Sequence, residues 1–426
     1  MKVLLISANT EQINMPVLPL GMAFIARAAE DAGHEVSQIN LMAEAEALAS
    51  LAARIRMIQP DIIGISVRNI DDQVSLNPRF LLEPVKQVMA TCRQNSKASI
   101  VLGGAGYSMF PEYVLAYLGA DMGIQGEGEQ SFVTLLDNIG KGEDLSTIPG
   151  LHHAAQHIAN TPEVNNQLDR FLFPEADKHL TSLTPASDEI IWLPFQTRRG
   201  CPLNCSYCST ALIEGNRTRK RSVQPVIDAL TQYASAGFDH FFFVDNTFNL
   251  PKGYAIDLCD RMIDAGLLIS WRCILYPGRV NEELVAKMAK SGCVEVSLGM
   301  ESGSDTILQK MNKRFLSEDV RHASNLLKKY GIRRMGFLLL GGPGETRQTV
   351  MESLQFVDSL GLEMVKVTIG IRIYPDTDLS CLAKRVGKLS SDDNLLSPRF
   401  YIEDGMEAWL RQAIKEWMKD RPNWIH

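Results

Sequence analysis

The chain has 426 residues, a formal net charge of −7, 45% hydrophobic residues and 22% charged residues. This length allows two or three domains with separate hydrophobic cores, and the apolar and charged fractions are typical of a folded globular protein. The net negative charge disfavours a general nucleic-acid binder or a protein of anionic membrane surfaces.

Residues 1–143 alternate short β-branched runs with helical stretches, a pattern typical of parallel βαβ units. The predicted strands are Val3–Ser7, Glu35–Ile39, Ile62–Val67, Ser99–Leu102 and Met122–Ile124. The predicted helices are Pro19–Ala32, Ala43–Met57, Pro84–Cys92 and Gln130–Ile139. We therefore predict a doubly wound parallel sheet, an α/β Rossmann-type fold in which ligands bind at the carboxyl ends of the strands.

Three turns at those strand ends have residues suited to a ligand, because glycine lets a backbone approach a large flat or phosphate-bearing molecule closely. The candidate ligand-contacting residues from the three turns are Ser66, Arg68, Gly103, Gly104, Gly126 and Glu127. The nucleotide fingerprint G-x-G-x-x-G is absent after the first strand, which disfavours a nicotinamide site.

Residues 144–189 lose this periodicity and contain several prolines, so we predict a linker with a short hairpin. A second alternating series follows over residues 190–380. Its predicted strands are Ile190–Pro194, His240–Asp245, Leu268–Tyr276, Val294–Gly299, Met335–Leu340 and Val365–Ile373. Six βα units predict a partial (β/α)6 barrel, with functional groups at the C-terminal strand ends.

Residues 381–426 are predicted to form a helical cap on this barrel. The apolar positions repeat at helical spacing and form one stripe: Met406, Trp409, Leu410, Ala413, Ile414, Trp417 and Met418. No apolar run approaches the ~20 residues of a membrane span. We therefore expect no membrane partner. Because the eight cysteines are scattered through a long chain, we expect a reducing cytoplasm.

Three cysteines, Cys201, Cys205 and Cys208, follow the first barrel strand within a single loop. An iron–sulfur cube is normally held by four thiolates, so a triplet leaves one iron open to an external ligand. A structural zinc site is the alternative, but it requires four ligands and the next cysteine is Cys259. The remaining cysteines form no second close pair, which argues against an auxiliary cluster.

Polar or glycine-rich turns follow four further barrel strands. A buried strand that ends in polar groups needs partners for them, so these turns are candidates to hold a cofactor or substrate. The candidate residues are Asp245, Asn246, Glu301, Ser302, Gly341, Gly342 and Tyr374.

The cysteine spacing, with Arg199, Gly200 and Tyr207 beside it, resembles the radical S-adenosylmethionine (SAM) superfamily. In the first half, Pro19-Leu20-Gly21, Gly103-Gly104 and Gly126-Glu127-Gly128-Glu129 resemble the cobalamin-binding domain that precedes many of these enzymes. Residues 1 to about 380 together resemble the cobalamin-binding-domain-containing radical SAM enzymes.

This resemblance implies a [4Fe–4S] cluster on the three cysteines, SAM on its open iron, cobalamin, and an electron donor such as flavodoxin or ferredoxin. It implies methylation of an unactivated carbon of a small-molecule substrate. Tyr207 and the seven barrel candidates would contact SAM, and the sheet turns would contact the corrin. The cobalt-ligating motif D-x-H-x-x-G is missing and His34 is the only histidine of residues 1–143, so we expect no histidine beneath cobalt.

Two alternatives remain open. One is a radical SAM oxidoreductase, cyclase or SAM-fragment transferase, in which the sheet domain has lost cobalamin or uses it only for redox chemistry. The other is a cluster- or corrin-carrying protein without catalysis, which does not need polar groups at four strand ends.

Overall fold

The computed structural model describes residues 1–9, 11, 18–184 and 190–426. They divide into two compact units. The first contains Met1–Asp72, Pro78–Pro194 and Leu212–Gly215, and the second contains Gln73–Asn77, Phe195–Ala211 and Asn216–His426. The end of the predicted linker, residues 185–189, lies outside the described residues. No helix in the described ranges has the length and apolar character required to cross a bilayer.

A parallel sheet with helices between its strands forms the first unit, which confirms the predicted α/β fold. Its parallel strands are β1 (Lys2–Ser7), β2 (Glu35–Asn40), β3 (Ile62–Ser66), β4 (Ser99–Gly103) and β5 (Met122–Ile124). A hairpin of β6 (Leu151–His153) and β7 (Ile158–Ala159) extends the sheet antiparallel to β5, giving the order β2-β1-β3-β4-β5-β6-β7. Part of the segment predicted as a linker therefore completes this sheet.

In the described part of the first unit, the α-helices are α1 (Leu20–Asp31), α2 (Ala47–Ile58), α3 (Leu82–Asn95), α4 (Ala105–Met109), α5 (Pro111–Leu118) and α6 (Gly128–Lys141). The sequence reasoning missed α4 and α5. Both are too short for helical periodicity to stand out, although Pro111 at the first position of α5 is a helix-start signal. Buried aliphatic residues of the central strands, such as Leu4, Ile6 and Ile100, form the core.

A second seven-stranded sheet forms the partial barrel. After β8 (Leu193–Phe195), the two-residue strands β9 (Arg198–Arg199) and β10 (Arg219–Lys220) pair with each other. The barrel continues with β11 (His240–Phe243), β12 (Ser270–Leu275), β13 (Cys293–Glu301), β14 (Arg333–Leu340) and β15 (Met364–Ile369). The helices are α7 (Thr210–Glu214), α8 (Val223–Ser235), α9 (Lys252–Asp264), α10 (Glu282–Lys290), α11 (Asp305–Lys310), α12 (Ser317–Lys329) and α13 (Arg347–Leu360).

The predicted sixth strand ends earlier than expected, at Ile369. Gly370 has φ +82°, and this left-handed residue turns the chain out of the sheet. The next two residues form β16 (Ile371–Arg372), which leads to α14 (Asp378–Arg385) and pairs antiparallel with β17 (Phe400–Tyr401).

The C-terminal residues complete the barrel unit. The predicted apolar stripe forms α15 (Glu407–Met418), which buries Leu410 and Ile414 in the same hydrophobic cluster as Leu338 and Leu340 of β14. The strand β18 (Trp424–Ile425) then pairs parallel to β15 at the edge of the sheet. This seventh strand is too short for sequence periodicity to reveal.

Candidate functional site

The cysteine loop follows β8 and β9 at the start of the barrel. Gly200 has φ +82° and Asn204 has φ +52°, and these left-handed residues bend the chain on either side of the first thiol. A tight turn brings the last two cysteines together, since the backbone N–H of Cys208 donates to the carbonyl of Cys205 (3.1 Å). Cys201 and Cys205 are half-buried against the barrel core, whereas Cys208 is exposed.

The three thiols suit an iron–sulfur cube better than a single ion. All three are free, and burial raises the pKa of Cys201 and Cys205, with a further rise from the charge of the neighbouring thiols. Within the described ranges, no three His, Cys, Asp or Glu side chains converge on one metal ion. Three cysteines in one loop would supply one thiolate to each of three irons, whereas a structural zinc centre requires four ligands.

Segments that follow other barrel strands contact the cysteine loop directly. The N–H of Ser206 donates to the carbonyl of Met311 (3.1 Å), and the carbonyl of Ser206 accepts from Leu379 (2.8 Å). The amide of Asn312 donates to the carbonyl of Asn204 (2.6 Å). The segments after β13 and β15 therefore support the loop, as expected for functional groups collected at one end of a barrel.

Asp245, a candidate to bind a cofactor, takes part in a network of hydrogen bonds within the barrel unit. Its carboxylate is fully buried and accepts from the backbone N–H and hydroxyl of Thr197 and from the backbone N–H and guanidinium of Arg198, at 2.6 to 3.0 Å. The same guanidinium donates to the carbonyl of Phe248 (2.6 Å). With its oxygens occupied in this way, Asp245 holds the strand that leads into the cysteine loop.

A buried lysine that the sequence reasoning missed lies beside the cysteine loop. Lys313 Nζ lies 3.2 Å from Glu301 Oε1, and the lysine side chain is only 5% exposed. Burial acts to lower the pKa of Lys313, but the neighbouring Glu301 carboxylate, with further rises from Tyr207 and Cys205, outweighs it and the pKa rises well above its usual value. This site is therefore a cation held between a carboxylate, a phenol and a candidate cluster ligand.

Tyr207 and Glu301, both candidates to bind a cofactor, lie next to Lys313. Burial and the nearby Glu301 carboxylate raise the pKa of Tyr207 well above its usual value, so the phenol keeps its proton and can donate a hydrogen bond. Glu301 is the last residue of β13 and has φ +61°, a conformation that non-glycine residues rarely adopt. Such outliers are concentrated at ligand sites.

Ser302, another candidate, is hydrogen-bonded within the chain. It is fully buried, its hydroxyl lies 2.9 Å from the hydroxyl of Ser353, and it accepts from the N–H of Ser304 (3.1 Å). These bonds engage the hydroxyl and fix the turn after Glu301.

The glycine turn after β14 is held by two carboxylates. Glu345 accepts from the N–H groups of Gly341 and Gly342, and Glu403 accepts from the N–H of Gly344. Burial, with a contribution from Glu403, raises the pKa of Glu345 to about 7. The backbone of this turn remains a candidate to lie against a flat ligand. Glu345 stabilises the conformation of the turn through its hydrogen bonds.

Two further barrel candidates lie at strand ends. Tyr374 is almost completely buried, with the guanidinium of Arg372 5.1 Å from its ring centre, and its carbonyl accepts from the hydroxyl of Thr377 (2.8 Å). Asn246 is half-buried beside Asp245. Both remain candidates for the SAM pocket.

In the first unit, one serine ties together two of the candidate turns. The hydroxyl of Ser108 donates to the carbonyl of Gly104 and accepts from the N–H of Gly126, both at 2.9 Å. Gly104 has φ +97°, and an added Cβ would lie 2.6 Å from the carbonyl oxygen of Val67, so only glycine fits. Gly103 has open space, since its nearest neighbour would be 4.0 Å from an added Cβ.

The other candidates of the sheet unit flank these turns. Ser66 ends β3, and its hydroxyl would lie 3.1 Å from a Cβ at Gly104. Arg68 is exposed and lines a small cleft with Asn9. Glu127 accepts from the N–H of Asn165 (3.2 Å).

His34 lies at the N-terminal side of β2, where it contacts the N-terminal amine and Asp137, at the opposite end of the strands from the glycine turns.

The buried cysteines Cys259, Cys273 and Cys293 are separate in sequence but neighbours in space, and burial raises the pKa of Cys259 to about 12. Buried protonated thiols of this kind are packing residues and poor metal ligands.

Comparisons with known proteins agree with both halves of this arrangement. Residues 196–357 match the radical SAM superfamily, and residues 6–136 match the B12 binding domain. An uncharacterised methyltransferase of Pyrococcus horikoshii is 30% identical, over 97% of this chain and 91% of its own length. The tryptophan 2-C-methyltransferase of Streptomyces laurentii is 22% identical, over 86% of this chain and 72% of its own length.

Solved structures show the same fold. The radical SAM methyltransferase TsrM from Kitasatospora setae, with cobalamin and a [4Fe–4S] cluster bound, superposes with a TM-score of 0.80 at 22% identity, over 90% of this chain and 75% of TsrM. The cobalamin-dependent SAM radical enzyme OxsB, with aqua-cobalamin and SAM bound, gives 0.76 at 17% identity, over 98% of this chain and 66% of OxsB.

Proposed function

Because the chain belongs to the cobalamin-binding radical SAM enzyme family, we propose that it transfers a methyl group to an unactivated carbon of a small organic molecule. The single observation that carries this proposal is the three-thiol loop with the buried Lys313–Glu301 pair beside it. When bound, the cluster and SAM supply a carbon-centred radical, and cobalamin supplies the methyl group.

In this proposal, the thiolates of Cys201, Cys205 and Cys208 hold three irons. Burial raises the pKa of Cys205, and the neighbouring Lys313 opposes that rise by favouring the deprotonated, metal-binding form. The Asp245–Arg198 network supports the approach to the loop. All eight cysteines are free thiols and none forms a disulfide. This supports a reducing cytoplasmic setting.

The Lys313–Glu301 pair has the charges that SAM requires. SAM carries a carboxylate and a ribose with two hydroxyls, so an ammonium donor and a carboxylate acceptor side by side can bind both ends of one ligand. We assign the carboxylate of SAM to Lys313 and the ribose hydroxyls to Glu301. Tyr207, Asn246, Gly341, Gly342 and Tyr374 complete the pocket.

The sheet unit holds the corrin at the carboxyl ends of its strands. Open space beside Gly103 and the close backbone at Gly104 suit a broad, flat ligand. The turn residues Ser66, Arg68, Gly126 and Glu127 contribute polar contacts around it. His34 lies at the other end of the strands, so it is not placed to ligate cobalt.

The proposal is tested on anaerobically purified and reconstituted protein given SAM and a strong reductant. The visible absorption bands of the iron–sulfur cluster and of the corrin are measured separately, and the SAM products 5′-deoxyadenosine and S-adenosylhomocysteine are quantified. We expect both chromophores and both products. Formation of 5′-deoxyadenosine by a protein that takes up no corrin would instead support the cobalamin-free radical enzyme.

The cluster must also receive electrons from outside the chain. We propose a small redox protein such as a flavodoxin or a ferredoxin as the donor. Support comes from the cysteines: apart from the loop triplet, they are either buried packing residues or, in Cys381, a single exposed thiol. None of these suits a second cluster that relays electrons.

A further inference from the structure

Lys313 lies in an irregular segment that follows α11, and its position depends on how that segment is held. Asn312 has φ +57°, the left-handed conformation that ends many helices. The N–H of Lys313 donates to the carbonyl of Leu308 (2.9 Å), back in the helix. The Asn312 amide donates to the carbonyl of Asn204 (2.6 Å) in the cysteine loop. These bonds fix the segment on the N-terminal side of Lys313.

On the C-terminal side of Lys313, the segment is held by the side chain of Tyr276. The N–H of Arg314, the next residue, donates to the phenol oxygen of Tyr276 (2.9 Å). No other group in the described residues hydrogen-bonds to this N–H. The ring of Phe315 packs against that of Tyr276, with ring centres 5.0 Å apart and ring planes at 79°. One side chain thus holds the two residues that follow Lys313.

Tyr276 is itself fixed by the loop of a neighbouring strand. It directly follows β12, and its backbone is bonded on both sides by Asn249, in the loop after β11. The N–H of Tyr276 donates to Asn249 Oδ1 (2.9 Å), and Asn249 Nδ2 donates to the carbonyl of Tyr276 (2.8 Å). Asn249 is 1% exposed and Tyr276 is 7% exposed, so water competes little for these bonds. The backbone that carries the phenol is therefore held in place.

The placement of Lys313 matters because a lysine side chain loses much rotamer freedom when it is ordered. Its Nζ nevertheless lies 3.2 Å from Glu301 Oε1, and the side chain is 5% exposed. The same Nζ lies 5.4 Å from the ring centre of Tyr207 and 6.0 Å from that of Phe315. A shift of the backbone at Arg314 would move the ammonium relative to these groups.

We propose that Tyr276 is a positioning residue for SAM binding: its phenol oxygen fixes the backbone after Lys313, so that the Lys313 ammonium meets the SAM carboxylate. The inference deepens the proposed function and rests on its assignment of that carboxylate to Lys313. Tyr276 acts through Lys313 and is not itself a ligand of SAM. The substitution Tyr276→Phe keeps the ring that packs on Phe315 and removes only the hydrogen bond to Arg314.

The test is a double-mutant cycle on anaerobically reconstituted protein. The four proteins are the wild type, Tyr276→Phe, Lys313→Met and the double variant. Equilibrium titration of the oxidised cluster without reductant gives the SAM affinity, because SAM is then not cleaved. Iron content and the unfolding midpoint are measured for each protein. The matched control Tyr330→Phe removes another phenol hydrogen bond of the barrel unit, the one to Glu282 (2.9 Å).

We expect Tyr276→Phe to weaken SAM binding about three- to tenfold, the effect of one hydrogen bond, at unchanged iron content. On the Lys313→Met background, the same substitution should change SAM affinity by less than about twofold, because the group that it positions is gone. The control should bind SAM within about twofold of the wild type. A role of Tyr276 in general stability alone would instead give equal losses on both backgrounds.

Equal losses of SAM affinity on the two backgrounds would overturn the proposal, and so would unchanged affinity in Tyr276→Phe. Loss of iron in Tyr276→Phe would also overturn it, because Tyr276 would then support the cysteine loop instead. Unchanged affinity in Lys313→Met alone would overturn the assignment of the SAM carboxylate, and the proposal with it. A cluster-loaded wild type that binds no SAM would refute the proposed function itself, and that result is seen before any variant is compared.

Discussion

The ammonium of Lys313 lies 3.2 Å from the carboxylate of Glu301, and both groups are mostly withdrawn from water. An ion pair in such a setting is weakly screened, so each partner depends on the other or on a ligand that replaces it. This pair links the end of β13 to the loop that covers Cys205.

Replacing Lys313 by Met should weaken SAM binding. The change removes one charge-assisted hydrogen bond, worth about 1.5 to 3 kcal/mol, or roughly ten- to a hundredfold in affinity. Equilibrium titration of the cluster-loaded protein measures it, with the exposed Lys290→Met as the matched control. Unchanged SAM affinity at full cluster content would place the SAM carboxylate elsewhere.

Replacing Cys205 by Ala should abolish cluster binding and all 5′-deoxyadenosine formation, because a cube on two protein thiolates is poorly held. The first unit should remain folded. Iron content and visible absorption are the measurements, and Cys381→Ala, which removes a thiol of the same unit outside the cysteine loop, is the control. Iron near the wild-type level in the Cys205 variant would contradict the assignment.

Replacing Asp245 by Asn should destabilise the barrel unit and lower cluster occupancy without changing the SAM affinity of the loaded fraction. The two side chains of the Arg198–Asp245 pair are 2% and 1% exposed. Removing one partner of a buried pair typically costs about 3 to 5 kcal/mol. Denaturant unfolding measures the first effect and titration the second. A loss of SAM affinity per cluster would restore Asp245 as a direct ligand.

Replacing Gly103 by Leu should reduce cobalamin uptake with the sheet intact, because the side chain would fill the open space next to the turn. The substitution Gly104→Ala should instead destabilise the unit, since a Cβ there meets the carbonyl of Val67 at 2.6 Å. Corrin absorption and thermal unfolding separate the two effects, with Gly140→Leu as control. Bound cobalamin should show the base-off spectrum, and a histidine-ligated cobalt signal in electron paramagnetic resonance would refute that expectation.

Replacing Glu345 by Gln should remove a pH-dependent loss of stability. The folded-state pKa of about 7 lies above the ordinary value of 4.5, so folded protein holds the proton and stability falls as pH rises between these values. The variant should match the wild type near pH 5 and exceed it by up to about 3 kcal/mol near pH 8. If the free energies of unfolding of the variant and the wild type changed in parallel with pH across this range, Glu345 would already be ionised in the folded protein.

Local patterns predicted the architecture and the cluster loop. The cysteines lie within eight residues of one another, so their spacing alone indicates shared chemistry, and the βα alternation is repeated often enough to show both sheets. Glu301 was found because it ends a strand. Lys313 was missed because it is in an irregular segment twelve residues later, where no periodicity marks its burial.

Hydrogen-bond partners that are distant in sequence were not predicted. Asp245 and Ser302 are polar residues at strand ends, which is where ligand-binding groups also occur. Their actual partners, Thr197 and Ser353, are about fifty residues away in sequence, and a single sequence cannot reveal such pairings. The neighbouring buried thiols of Cys273 and Cys293 were hidden for the same reason.

Every hydrogen bond in the Asp245–Arg198 network joins two groups of the chain itself. The scaffold that leads into the cysteine loop thus needs no iron to acquire its shape, unlike zinc fingers, whose folding requires the metal. The order of biogenesis follows: translation and folding first, iron–sulfur delivery last. We expect a cell starved of iron to accumulate a folded precursor of this enzyme, in which Cys208 is the exposed thiol of the loop and Cys201 and Cys205 are half-buried.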